Sequence, residues 1–109
     1  MYSSPTVWNG VVYVGSNDHS VYALDAATGA KIWSYVTGNE VDSSPIVWNG
    51  VVYVGSYDNY VYALNAATGA KIWSFQTGNY VTSSPAVSNG VVYVGSNDFS
   101  IYALNATTS

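Results

Sequence analysis

Side chains able to do acid–base, nucleophilic or metal chemistry are few in this chain of 109 residues. It has one histidine (His19), two lysines (Lys31, Lys71), six carboxylates (Asp18, Asp25, Glu40, Asp42, Asp58, Asp98), and neither cysteine nor arginine. Catalysis or metal binding needs several such groups converging on one point. Here they are dealt out singly along the chain. His19 has Asn59 and Phe99 at matching offsets, which marks a solvent-facing turn position. Asp18, Asp58 and Asp98 also match one another. They could ring one face and hold a cation weakly, but aspartate in a turn ordinarily accepts bonds from turn backbone, and that structural reading is preferred. Asn105-Ala106-Thr107 satisfies the glycosylation pattern, a motif too short to carry weight. No catalytic, metal or cofactor-binding residue is expected, and no cofactor.

Binding chemistry is better represented. Tyr57, Tyr60, Tyr80, Phe99 and His19 lie in or beside segments that vary between otherwise matching stretches. Aromatic groups, Tyr above all, are favoured contact residues at protein surfaces, so these five form a candidate surface for a protein or glycan ligand. Drift in exposed turns is the competing explanation. Trp8 and Trp48, with Ser88 as their counterpart, read as core or channel packing beside a hairpin.

The elements that must position these residues follow from an internal repeat of 40 residues: Ser4, Ser44 and Ser84 open matching segments. Repeats 3–42, 43–82 and 83–109 make one domain over 1–109, and the first two differ at nine positions of 40. So little divergence suggests recent amplification or engineering. Such periods signal stacked supersecondary units. Within residues 43–82, Asn49-Gly50 suits a tight hairpin turn. Val51–Val54, Val61–Leu64 and Lys71–Phe75 read as strands after a short one ending at Trp48. The middle strands are apolar on both sides of the pleat, so both faces need cover. No window has helical periodicity. The cover must be further copies of the same four-stranded antiparallel sheet, stacked as the blades of a β-propeller.

Composition excludes several partners. A formal charge of −4 with two lysines offers no basic patch for nucleic acid or an anionic membrane. No apolar run is long enough for membrane insertion. Absence of cysteine removes disulfides and thiolate chemistry without fixing the compartment. Met1-Tyr2 runs directly into the first repeat, so no leader is expected within the chain.

Ala23-Leu24-Asp25-Ala26-Ala27-Thr28-Gly29-Ala30-Lys31-Ile32-Trp33 resembles the tryptophan-docking motif of quinoprotein-type propellers, and residues 63–73 repeat it with Asn65 in the acidic place. With Ser43-Ser44-Pro45, Asn49-Gly50 and Val52-Tyr53-Val54-Gly55-Ser56, the resemblance to pyrroloquinoline-quinone (PQQ)-like repeats covers essentially the whole chain. It implies that Trp33 and Trp73 dock structurally on the next blade near Gly29- or Gly69-type turns. It also implies, for the dehydrogenases of this type, a vicinal cysteine pair, an arginine and calcium-binding carboxylates. The first two are missing here, so catalysis is not expected.

The third repeat stops where the fourth strand would begin, which predicts three blades with the last lacking its outer strand. Three blades are too few for a closed ring. Self-association, last blade against first, is therefore expected, a homodimer giving six blades or a homotrimer nine. The chain reads as a non-catalytic scaffold or protein-interaction module. Alternatives are a carbohydrate-binding propeller and a piece of a PQQ-dependent oxidoreductase without its own active site. Compartment is unknown, periplasmic or extracellular by family analogy alone.

Overall fold

Asn9-Gly10, Asn49-Gly50 and Asn89-Gly90 all adopt positive φ (52° and 76° in the first pair), the conformation a two-residue hairpin turn requires. The structure, a computed structural model, describes residues 4–106. Expectations about Met1–Ser3, Thr107 of the glycosylation pattern and the end of the third repeat lie outside the described residues. Each turn joins a three-residue strand to a five-residue one: β1 (Thr6–Trp8) to β2 (Val11–Gly15), β5 (Ile46–Trp48) to β6 (Val51–Gly55), and β9 (Ala86–Ser88) to β10 (Val91–Gly95). Then come β3 (Ser20–Asp25) and β4 (Lys31–Val36), β7 (Tyr60–Asn65) and β8 (Lys71–Gln76), and β11 (Ile101–Asn105).

The result is three antiparallel meanders, β1-β2-β3-β4, β5-β6-β7-β8 and β9-β10-β11. Among the described residues there is no helix. The Val-Tyr-Val runs lie inside β2, β6 and β10, where β-branched and aromatic residues fill the central strands as their propensity dictates.

Side chains alternate between sheet faces, and the two faces of the middle sheet go to different neighbours. Val52, Val54 and Leu64 pack with Tyr13, Val21, Ala23 and Trp33 of the first sheet. Tyr53, Val61 and Ala63 pack with Val92, Val94 and Leu104 of the third. The middle sheet is thus covered front and back by its own kind. Between sheets the chain crosses over a strand end, where Val41 and Val81 are fully buried. A Cβ on Gly55 would lie 2.2 Å from Val81 Cγ1, and one on Gly15 would lie 2.5 Å from Val41 Cγ1, so glycine is the residue that lets the crossing chain approach.

A meander gives each sheet two ends. One carries the Asn-Gly hairpins and the β3–β4-type turns, and is called the hairpin end. The other carries the β2–β3-type turns and the crossings between sheets, and is called the connection end.

Candidate interaction face at the connection end

The tryptophans of β4 and β8 serve the contacts between sheets. Trp33 Nε1 donates to Ala66 O at 2.9 Å, beside Tyr13 Oη donating to the same oxygen at 3.2 Å. Trp73 Nε1 and Tyr53 Oη repeat this on Ala106 O at 3.0 and 3.1 Å. The indole of Trp33 lies so close over Gly69 (φ 79°) that a Cβ there would sit 2.6 Å from Cε3. Gly29 has nothing within that reach. Burial pushes the Tyr13 and Tyr53 phenols above their ordinary value.

The three matching aspartates hold turns together. Asp18, Asp58 and Asp98 Oδ1 accept from the backbone N–H of Ser20, Tyr60 and Ser100 at 3.0, 3.0 and 2.9 Å. Their Oδ2 atoms accept from the hydroxyls of Tyr22, Tyr62 and Tyr102. Two also tie neighbouring repeats, Asp58 to Gly38 N and Asp98 to Gly78 N, both at 2.9 Å. The phenol bonds hold the Asp18 and Asp98 carboxyls below the usual carboxylate value. Tyr62 is pushed up mainly by burial and then by Asp58; Tyr102 is raised first by its bond to Asp98. Among the described residues no group of three or more His, Cys, Asp or Glu is placed to hold a metal.

Several positions that differ between repeats come together at the connection end. Tyr57 and Tyr80 stack with ring centroids 4.7 Å apart and planes 6° from parallel. Tyr57 N donates to Glu40 O at 2.9 Å, and Asn97 N to Tyr80 O at 2.8 Å. The Tyr57 hydroxyl bonds the Asp42 carboxylate, which raises its phenol, and Thr82 Oγ1 bonds Asn97 Oδ1 at 3.2 Å. Positions 40, 42, 57, 80, 82 and 97 therefore form one continuous strip, though sequence reading had no means to pair a turn with a crossing 23 residues away.

His19 and Phe99 sit at the tips of β2–β3-type turns on the same end, with φ of 78° and 70°. Phe99 is fully exposed. Tyr60 stands apart from the strip: it packs on the core between the first two sheets, 6.0 Å from the Tyr62 ring. Trp8 is half exposed at the opposite, hairpin end, where it lines a cleft of about 300 Å³ with Ile32 and Ala66.

Charge divides the same way. Asp18, Asp58, Asp98, Glu40 and Asp42 all lie in connection-end turns or crossings, whereas Lys31, Lys71 and Asp25 flank the hairpin-end turns. Among the described residues the connection end carries five carboxylates and His19, but neither lysine nor arginine.

The family model described as "Outer membrane protein assembly factor BamB" matches residues 1–109. The chain belongs to this family of PQQ-like repeats. No curated protein matches it in sequence. Among solved structures it is similar to BamB from Moraxella catarrhalis (25% identity, TM-score 0.85), covering 96% of this chain and 33% of that one. It is also similar to the quinohemoprotein alcohol dehydrogenase ADHIIG from Pseudomonas putida HK5 (32% identity, TM-score 0.84), covering 97% of this chain and 19% of that one. The computationally designed Ika8 protein shares the fold at 16% identity, with TM-score 0.86, 98% of this chain covered and 34% of that one. This PQQ-like chain thus spans about a third of the length of BamB and a smaller share of the dehydrogenase, and its three sheets are propeller blades.

The quinone that names the family does not fit the residues present. The chain has no cysteine or arginine to hold it. Its turn aspartates are each engaged in their own blade, at separate places, by a backbone N–H and a tyrosine hydroxyl.

Proposed function

We propose that the chain is a non-catalytic propeller scaffold that presents an anionic, aromatic connection end to a basic segment of another protein. The observation that carries this reading is the meeting of three variable sets of positions, 17/57/97, 40/80 and 42/82, in one strip around the Tyr57–Tyr80 stack, while most blade-packing residues stay constant. A guanidinium or ammonium group gains from an aromatic face and from adjacent carboxylates together. Glu40 and Asp42 supply the carboxylates beside Tyr57. Among the described residues the turn aspartates are each engaged singly in their own turns, which supports a non-enzymatic role. BamB is named as an outer membrane assembly factor, and by that analogy the scaffold works in the periplasm or at the cell surface.

Titration of the chain with an arginine-containing peptide library, alongside a glycan array, tests the reading. Binding of basic peptides is expected, weakening as salt rises and falling at least tenfold in Tyr80→Ala. Binding of glycans without basic peptides would move the assignment to a carbohydrate-binding propeller, and binding of neither overturns both. Bound quinone or dye reduction after addition of pyrroloquinoline quinone and calcium would contradict the non-catalytic reading.

A further inference from the structure

The contact between blades 1 and 2 is chemically the same as that between blades 2 and 3. In each, one blade offers a tyrosine on its central strand, Tyr13 or Tyr53, both only 1% exposed. Its hydroxyl donates to the carbonyl of Ala66 or Ala106. The opposing blade receives with Val52, Val54, Tyr62, Leu64 and Ala66, or with Val92, Val94, Tyr102, Leu104 and Ala106. A backbone clasp repeats too: Ser4 N donates to Ser44 Oγ at 3.0 Å and Ser44 N to Ser84 Oγ at 2.9 Å.

Both halves of this contact occur once more, unpaired. Blade 3 carries the donor face, but there Tyr93 is 43% exposed and Ile101, the counterpart of the fully buried Val21 and Val61, is 84% exposed. Blade 1 carries the receiving face with identical residue types, Val12, Val14, Tyr22, Leu24 and Ala26. With Pro5, its Val12, Val14, Tyr22 and Leu24 line an open apolar hollow of about 440 Å³.

We infer that copies of this chain dock head to tail, the open face of β9–β11 in one copy seating on the open face of β1–β4 in the next. The occupant is a second copy because the receiving surface repeats, residue type for residue type, one the chain already covers twice. The donor face keeps the tyrosine and alanine of the other two blades in Tyr93 and Ala103, with Ile101 for Val21 and Val61 and, among the described residues, no counterpart of Trp33 or Trp73. In the docked pair Tyr93 Oη donates to Ala26 O of the second copy, and Ser84 N to its Ser4 Oγ. The two faces are different surfaces, so the contact is heterologous and rotation can close it into a ring. Two copies give six blades, within the usual range of four to eight; three give nine. Docking goes beyond the peptide-binding reading and is independent of it, since the connection end is outside both faces.

Light scattering on the chain, with two variants, tests this. The wild type is expected at two chain masses, each 11.6 kDa; three would also support the contact. Val14→Glu spoils only the receiving face and Ile101→Glu only the donor face, and neither site is buried in a single chain. Circular dichroism confirms that both variants keep the wild-type sheet signal. Each alone is expected as a monomer, and their equimolar mixture as a two-chain species, since each retains the face the other lacks. A monomeric wild type, variants that keep the wild-type mass, or a mixture that stays monomeric would overturn the inference.

Discussion

Phe99 combines two features that stability alone disfavours, a wholly exposed ring and a left-handed backbone at φ 70°. Its counterpart Asn59 adopts the same conformation with a side chain that tolerates it. Phe99→Asn is therefore expected to stabilise the chain by about 1 kcal/mol, read as a higher midpoint in a denaturant titration. No gain there would mean the turn carries no backbone strain. Titratable groups set a second expectation. The Asp18 and Asp98 carboxyls are depressed by tyrosine hydroxyls, so what they contribute is whole above the unfolded value near about 4 and is lost as pH falls through the folded one. Tyr13, Tyr53 and Tyr62 are raised by burial; their contribution is whole below about pH 10 and is lost as pH rises beyond it. Thermal melts across pH should show a plateau bounded by losses on both sides, and a melting temperature that climbs toward pH 3 would contradict the aspartate assignment.

At the scale of elements, the crossings between blades are as constrained as the strands. Val81 lies over Gly55 with no room for a methyl group. Gly55→Ala should cost about 1–3 kcal/mol, on the precedent of overpacked cores, whereas Gly10→Ala meets no neighbouring atom and suffers only from its positive φ. Chemical denaturation of Gly55→Ala checks this; a variant as stable as the wild type would argue against the close crossing. Strands and hairpins were legible because Asn49-Gly50 and the β-branched Val51–Val54 run state local preferences. The stacking of sheets was legible from apolar residues on both sides of the pleat. The strip joining Glu40, Asp42, Tyr57 and Tyr80 was not, because its members belong to different elements and meet only once the crossing is placed. Nor was the role of Tyr60, whose exposed-looking turn position in fact borders a core. The left-handed backbone at position 99 was hidden by its phenylalanine, although Asn59 at the matching place was a clue.

Across the whole molecule, packing and charge are arranged along different directions. Blades bury their faces against one another, along the line of stacking, and most of the variable turn and crossing residues lie at one end of that stack. The carboxylates concentrate at this same end and the lysines at the other. A frame built this way can change its connection-end residues without repacking a core, which ties the near-identity of the repeats to a fixed scaffold with adjustable contacts. Amide chemical-shift mapping with an arginine-rich peptide bears on that claim most directly. Perturbations are expected at Glu40, Asp42, Tyr57, Tyr80 and Phe99; shifts centred instead on the Trp8 cleft at the hairpin end, or none at all, would contradict it.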